Sequence, residues 1–493
     1  MALTQRKALL LTLSSAVVAT VLTAPTATAR PGPPPLTWKP CTAGSATECA
    51  TLPVPLDYRK PDGRQIELAV SRLRSDRPQE RRGTLLVIPG GPGGSGTEKL
   101  AKVGAELRAE TRGMYDLVGF DPRGVGGSTK ADCELAEDDL DLVRLRPWPG
   151  PDGDIGPSVA RARHIAEACT RNGGELIRSF STANEVRDID RLRQALGEEK
   201  LSAWGTSYGT YVGAVYAQKY PERTDRWVLD SNGDPDPERV ERGWLANMSA
   251  AADDRFPDFA KWAADPARDA GHRVAKRAGD VRPLVLSLAA RLDKVPEKAG
   301  GKDLLTGNRL RQAVQMGLYT DRGFERLAAL IVSARDAGGT PVPYEPVRAS
   351  STEPAVLFGV LCNDMRWPRS LPGYARDVAV DRVRHPLTAG MPVGVTPCAF
   401  WPYDPTDKPT RITPDGPSNV LMVQNLRDPA TPYRGALKMR QAFSDRARMV
   451  SVDAGGHGVY LGSGNACSDR AVTTFLTTGQ RPARDVLCTA GGS

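Results

Sequence analysis

A serine stands between two glycines in the segment Gly205-Thr206-Ser207-Tyr208-Gly209. An apolar run, LSAWG, leads into it and a helix-like run, YVGAVYAQKY, follows it. A Gly-x-Ser-x-Gly element places its serine on a strand-to-helix turn so sharp that the flanking positions tolerate almost no side chain. The segment therefore predicts Ser207 as a nucleophile. The alternative is a serine in an ordinary loop, because Gly, Ser and Thr are common there.

A hydroxyl attacks efficiently only when a base removes its proton and a third group orients that base. In this arrangement the chain order is nucleophile, acid, base. Of the four histidines, His164 precedes the serine, His272 lies in a helical segment and His385 lies in the charged stretch RVRHP. His457 alone follows a late strand-like run, among the small residues of AGGHGVY. We therefore expect His457 to be the base.

The acid should follow the penultimate strand, where VQNLRDPATPY offers Asp428. Asp415 lies before that strand, and Asp445 falls on the helix expected after it. Asp428 thus has the best position, although an Asp-Pro pair is also a common turn former.

An oxyanion hole needs backbone N–H groups from the residue after the nucleophile and from the loop after an earlier strand. Tyr208 is the first of these. The second should lie in IPGGPGGSG, residues 88–96, where Gly91 is the first choice and Gly90 the next. A phosphate-binding loop is the alternative, but the lysine and the following Ser or Thr of a P-loop are missing.

Short apolar runs alternate with helical stretches up to about residue 240, which indicates a mostly parallel sheet. One helix is expected just before the serine strand, with Thr182 and Glu185 as a capping box and Gly197 at its end. The strand candidates are residues 84–90, 115–121, 201–205, 226–230, 419–425 and 448–456.

Residues 240–390 are rich in Trp, Ala and charged residues at helical spacing, and strand-like runs resume after them. The predicted fold is thus an α/β-hydrolase fold, a mostly parallel sheet with an inserted helical cap domain. Its core would comprise residues 37–239 and 391–493, preceded by a Pro-rich linker at 30–36.

The first 29 residues combine Arg6 and Lys7, an apolar run over 8–22 and the small residues Ala27-Thr28-Ala29. This is the pattern of a secretory signal peptide, and the apolar run is shorter than the ~20 residues of a spanning helix. We expect a secreted, extracellular protein with no stable membrane anchor.

The eight cysteines then belong to the exported part, where an even number usually means disulfides. The sequence does not fix their connectivity. Sequential pairing closes short loops and would join 41–49, 133–169, 362–398 and 467–488. A metal site is the weaker alternative, because there is no CxxC pair or His-Cys cluster.

The formal charge is +8, with both signs interspersed and no long basic run. This pattern indicates a solvated surface, so no nucleic-acid partner is expected.

Several motifs in fixed order resemble those of the secreted tripeptidyl aminopeptidases of actinomycetes, which are related to prolyl aminopeptidase within the α/β-hydrolases. The motifs are WKPC, VPLDYRKPDG, PGGPGGSG, GFDPRGVGGS, WGTSYGTYVGAVYAQKYPER, LCND, DPATPY and GGHG.

The resemblance implies a serine exopeptidase that releases short peptides from the free N-termini of oligopeptides, with Ser207, Asp428 and His457 as the triad and no cofactor or metal. An acidic group should pair with the substrate's α-ammonium, and Asp364 in LCNDMRW has a family-like position. After VLD, however, the chain reads SNGDPDP where relatives more often carry a small apolar stretch, so cleavage length is open. A monomer is expected.

The triad chemistry alone does not separate this function from a secreted carboxylesterase or lipase-type hydrolase, because acyl transfer is common to both.

Overall fold

The computed structural model describes residues 33–299, 302–337 and 344–490. The predicted signal peptide and the first residues of the predicted linker lie outside these ranges.

The described chain contains a ten-stranded sheet in the order β1-β2-β3-β5-β4-β6-β7-β10-β11-β12, and the short strands β8 and β9 pair with each other elsewhere. From β5 to β12 every neighbouring pair is parallel, whereas β1, β2, β3 and β5 pair antiparallel. The strands are β1 (Lys39–Pro40), β2 (Thr47–Pro55), β3 (Gln65–Leu73), β4 (Thr84–Ile88), β5 (Asp116–Phe120), β6 (Leu201–Thr206), β7 (Thr224–Asp230), β8 (Glu297–Ala299), β9 (Lys302–Leu305), β10 (Val420–Arg427), β11 (Ala447–Gly455) and β12 (Val486–Cys488).

All six predicted strands are present with small shifts at their ends. Residues 84–88 are buried throughout, as expected for a strand covered on both faces. The antiparallel strands β2 and β3 were not predicted. Ile66, Leu68 and Val70 alternate with less buried neighbours in β3, so the period of two that marks such a strand was available in the sequence.

Helices cover the sheet and fill the span between β7 and β10. The helices are α1 (Gly96–Glu110), α2 (Leu142–Leu145), α3 (Gly156–Arg178), α4 (Thr182–Ala195), α5 (Tyr208–Lys219), α6 (Val240–Ala263), α7 (Ala278–Lys294), α8 (Gly307–Gly317), α9 (Gly323–Asp336), α10 (Glu353–Asp364), α11 (Leu371–Arg384), α12 (Tyr433–Phe443) and α13 (Ala466–Thr478). Helices α6 to α9 enclose an apolar cluster of their own, with Phe256, Phe259 and Leu327 among its buried members. This cluster stabilises the insertion independently of the sheet.

Helix α4 differs from the prediction at its N-terminus. Its N-cap is Ser181, whose Oγ accepts from the Asn184 N–H at 3.2 Å, so the predicted capping box of Thr182 and Glu185 is wrong. Thr182 instead bonds to Asp364, and Glu185 accepts from the Tyr208 hydroxyl. Two adjacent hydroxyl residues compete for the cap, and the one with no tertiary partner takes it. The predicted end is confirmed, because Gly197 follows the helix at φ +71°.

Four disulfides join Cys41 to Cys49, Cys133 to Cys169, Cys362 to Cys398 and Cys467 to Cys488. The sequential pairing is therefore confirmed. None of the helices in the described residues combines the length and apolar content that a bilayer crossing requires.

Candidate active site

Ser207 occupies the turn between β6 and α5, with φ 60° and ψ −125°. Side chains on either side would collide with main chain: a Cβ on Gly205 would lie 2.5 Å from the Gly209 carbonyl oxygen, and one on Gly209 2.5 Å from that of Pro89. The two glycines thus let the turn pack tightly, as the sequence predicted. The strained turn lifts the serine off the sheet edge.

Asp428 and His457 come from the carboxyl ends of two neighbouring strands. Asp428 follows β10, and His457 lies two residues beyond β11. Nδ1 of the imidazole lies 3.0 Å from both Asp428 carboxylate oxygens. Because parallel strands end at the same edge of a sheet, residues 29 positions apart meet directly.

The buried carboxylate of Asp428 is fixed by further donors. It accepts from the N–H groups of Ala430 and Thr431 at 2.8 and 2.9 Å, and from the Thr431 hydroxyl at 3.0 Å. Burial by itself raises the pKa of Asp428, but the charge and hydrogen bond of His457 and these amides outweigh burial and hold the pKa below its usual value. The group therefore stays ionised beside the imidazole.

The loop of His457 and the turn of Ser207 are both anchored to Asp230 at the end of β7, and the loop also bonds to the next residue, Ser231. The Ser207 N–H donates to the Asp230 carbonyl at 3.0 Å, and the Gly458 N–H donates to Ser231 Oγ at 2.9 Å. The Asp230 carboxylate accepts the N–H groups of Val459 and Tyr460 at 2.9 and 3.0 Å. Asp230 is a positioning residue that the sequence analysis missed, although it ends the VLD strand.

Lys99 adds a positive charge near Asp230 and the serine turn. Its Nζ donates to Thr206 Oγ1 at 2.5 Å and lies 4.3 Å from the centroid of the Trp204 ring. Burial lowers the pKa of Lys99 to about 8, and the charge of Asp230 opposes that shift.

The charges of Asp428, Asp230 and Lys99 shift the pKa of the His457 imidazole in opposite directions. Burial alone lowers the pKa of His457, but the charge and hydrogen bond of Asp428 outweigh it, and the pKa is raised overall. Asp230 adds to the rise, whereas Lys99 opposes it.

The two predicted oxyanion donors lie beside the serine. Gly91 and Tyr208 line one cleft together with Ser207, and within the described residues neither backbone N–H has an acceptor. Gly90, the second choice, packs against the turn itself: a Cβ on it would lie 2.9 Å from the Ser207 Cβ.

The cleft beside Ser207 is mostly apolar. Only two charged residues, Arg146 and Glu241, line it in the described part of the chain. Its apolar walls are largely contributed by the segment between β7 and β10, among them Trp244, Leu245, Met248, Leu357, Phe358 and Met391.

Asp364, the predicted amine-binding residue, lies behind this cleft. Its Oδ1 accepts from the Thr182 N–H at 2.8 Å, and Oδ2 accepts from the Thr182 hydroxyl. Glu241, which does line the cleft, lies close enough to Asp364 for each carboxyl group to affect the pKa of the other. Glu241, and not Asp364, therefore lines the cleft, and Asp364 lies beside Glu241.

Two buried carboxyl groups this close together do not both ionise readily, because burial and like charge favour a proton on one of them. Burial and the charge of Asp364 raise the pKa of Glu241 well above its usual value. Apart from Asp364, neither oxygen of Glu241 has a partner among the described residues. Glu241 was missed by the sequence analysis, but it lies just after SNGDPDP, the segment singled out there as unusual.

A third buried carboxyl group, Glu185, lies beside this pair. It accepts from the Tyr208 hydroxyl at 3.1 Å, and burial raises its pKa to about 8. The Tyr208 hydroxyl also contacts Thr182 Oγ1 at 2.8 Å, so the residue after the serine is joined to the carboxyl pair.

The sheet order, the strained serine turn and the Ser–Asp–His chain order define an α/β-hydrolase. Residues 386–488, which include Asp428 and His457, match the family model described as TAP-like protein. The chain belongs to the tripeptidyl aminopeptidase family, and it is a serine hydrolase of the peptidase type.

Three relatives illustrate that membership. The tripeptidyl aminopeptidase of Streptomyces lividans is 34% identical over 469 residues, covering 92% of this chain and 86% of the relative. The serine protease Hip1 of Mycobacterium tuberculosis is 30% identical over 490 residues, covering 92% and 91%. Carboxylesterase B of Mycobacterium tuberculosis is 30% identical over 464 residues, covering 89% and 86%.

Proposed function

We propose that this protein is an exported serine exopeptidase that releases short peptides, tripeptides in the first instance, from the free N-termini of oligopeptides. The observation that carries the proposal is the carboxyl group of Glu241, which faces the same cleft as Ser207 and has no cationic partner among the described residues. The names of the tripeptidyl aminopeptidase relatives support it.

In the proposed mechanism His457 takes the Ser207 proton while Oγ attacks the scissile carbonyl carbon. The N–H groups of Gly91 and Tyr208 bind the oxyanion of the tetrahedral intermediate. The imidazolium, stabilised by Asp428, passes its proton to the leaving amine as the C–N bond breaks. Water then attacks the acyl-enzyme by the same route and frees the serine.

The α-ammonium of the substrate would bind Glu241. Its arrival supplies donors and a positive charge, so the proton that burial keeps on the Glu241–Asp364 pair can leave and both groups can ionise. A fixed distance between this anion and the serine would set how many residues enter the cleft before the scissile bond. Asp364 thus acts through Glu241 in this proposal.

Export is supported by the four disulfides, since such bonds persist in oxidising compartments and are rare in the cytosol.

A carboxylesterase function is the second candidate, because the cleft is largely apolar and carboxylesterase B is among the relatives. A simple ester has no ammonium group, so Glu241 separates the two functions.

The test compares tripeptidyl arylamides with free and with acetylated N-termini and a short-chain nitrophenyl ester. Wild type should cleave the free arylamide and discriminate strongly against the acetylated one, and S207A should abolish cleavage of all three. E241Q should lower kcat/KM for the free arylamide by roughly 30- to 1,000-fold, equivalent to about 2–4 kcal/mol, and change ester hydrolysis little.

E238Q provides the matched control, since Glu238 is exposed three residues before Glu241. Indifference of wild type to acetylation would contradict the exopeptidase function and favour the esterase.

A further inference from the structure

The guanidinium of Arg146 and the carboxyl group of Glu241 line the same apolar cleft. In apolar surroundings an unpaired charge is costly, and it favours a ligand that brings the opposite charge. Glu241 is accounted for by the α-ammonium in the proposed function, on which this inference rests. Arg146 is left without a role there.

The guanidinium of Arg146 is available for a ligand. It forms no ion pair with the described residues, and its Nε is buried without an acceptor among them. Arg144, two positions earlier, shows the usual alternative, since it pairs with Asp139 at 3.0 Å on the surface.

Arg146 lies on the side of the cleft that borders the imidazole. The segment that carries Arg146 packs on α8, where Trp148 Nε1 donates to Gln312 Oε1 at 3.0 Å, and Tyr319 follows that helix directly. Arg146 and Tyr319 line the same cleft, and the charge of Arg146 opposes the rise that burial gives to the pKa of Tyr319. The Tyr319 ring packs edge-on against the His457 ring, with centroids 5.5 Å apart, and the Tyr319 carbonyl accepts the His457 N–H at 2.7 Å. His457 is the group that hands a proton to the leaving amine, so the leaving segment must pass this wall.

Glu241 lies at the start of α6, whereas Arg255, further along the same helix, donates to the Leu318 carbonyl next to Tyr319 at 3.2 Å. At 1.5 Å of rise per residue, about 20 Å of helix separates Glu241 from that wall. Glu241 therefore belongs to the other side of the scissile bond, which is the acyl side.

We infer that Arg146 binds a carboxylate on the leaving segment of the substrate. The preferred substrates are then short peptides that bind through two charged groups at once. Glu241 binds the ammonium and Arg146 binds the carboxylate. The carboxylate can be the C-terminus of a peptide only slightly longer than the released fragment, or an acidic side chain just after the scissile bond. A guanidinium suits either, because its planar donors bind a carboxylate in pairs.

Wild type alone provides the first test. Tetrapeptides with a free N-terminus are compared as the C-terminal acid and the C-terminal amide. A second comparison uses two amides, one with Asp and one with Asn as the last residue. We expect kcat/KM to be roughly 10- to 100-fold higher for the acid than for the amide. An advantage of Asp over Asn in the amides would identify the side chain as a second source of the carboxylate, and its absence would restrict the site to the C-terminus.

R146Q provides the second test, with R144Q as its matched control. R146Q should remove the preference for the carboxylate while keeping the rate on the amide peptide, and R144Q should keep the preference. An arylamide without a carboxylate reports that R146Q is folded and active. If R146Q does not fold, the comparison in wild type still decides.

Equal rates on acid and amide together with equal rates on the Asp and Asn amides in wild type, or an equal loss on all of them in R146Q, would overturn the inference and leave the proposed function intact. Failure of wild type to cleave any free N-terminal peptide would instead overturn the proposed function.

Discussion

Asp230 joins the two halves of the reaction centre through hydrogen bonds rather than through contact with a substrate. Its carbonyl holds the Ser207 N–H, and its carboxylate holds the amides that follow His457. Lys99 lies on the other side of the serine turn, bonded to Thr206. Buried charges in such a position act on the imidazole over several ångströms because little water screens them.

The two charges predict opposite changes in the pH profile of kcat/KM. The proposed mechanism needs the base form of His457, so activity should fall as pH drops through its raised pKa. D230N removes an anion that stabilises the imidazolium, and the acidic midpoint should move to lower pH. K99M removes a cation that opposes the imidazolium, and the midpoint should move to higher pH.

The measurement is kcat/KM from pH 5 to 9 on one tripeptidyl arylamide. The midpoint does not depend on the concentration of folded enzyme, so partial unfolding of a variant does not imitate the effect. D225N, at the other end of β7, should leave the midpoint in place. If the acidic midpoint moved in the same direction in D230N and K99M, the opposite effects of these two charges on the pKa of His457 would be contradicted.

At the scale of secondary structure, the parts predictable from sequence are those that follow from order along the chain. Ser207, Asp428 and His457 each follow a strand, and the sequence orders them as an α/β-hydrolase requires. The carboxyl pair was only half predicted, because Glu241 on α6 and Asp364 on α10 meet through packing of the insertion. No local pattern reports such a contact.

The predicted cap of α4 failed for a related reason. Ser181 and Thr182 are equivalent as local signals, and only the tertiary bond from Thr182 to Asp364 separates them.

The disulfide between Cys362 and Cys398 ties α10 to the loop after the insertion, two residues from Asp364. Its loop spans 36 residues, whereas the Cys41–Cys49 loop spans 8. Since a cross-link restricts the unfolded chain more when its loop is longer, C362A/C398A should lower the free energy of unfolding by about 1 kcal/mol more than C41A/C49A.

Denaturant unfolding of the two double variants checks this difference. C362A/C398A should also raise KM for free N-terminal peptides, because the support of Glu241 loosens, and C41A/C49A should not. Equal losses of stability with unchanged KM in both would contradict the expected role.

At the scale of the whole molecule, the helices between β7 and β10 form much of the cleft beside the serine. A chain end has to pass between these walls and the sheet edge to reach Ser207. Folded loops present two chain segments side by side, so a cleft of this kind favours single extended ends.

A folded protein should therefore lose its N-terminal residues far more slowly than a free peptide of the same sequence. Cleavage would wait for local unfolding, which reduces the rate about a thousandfold for an end held by ~4 kcal/mol. Mass spectrometry over time, on a folded domain and on its N-terminal peptide, measures the ratio. Equal rates would show that the insertion does not restrict access.

The Asp428–His457 pair lies far downstream of the serine turn and beyond the helices α6 to α11. Synthesis that stops early leaves a hydroxyl with no base to activate it. In the proposed mechanism, a chain whose synthesis stops before His457 is therefore inert, and the cell that makes the enzyme is spared digestion until that residue has been added.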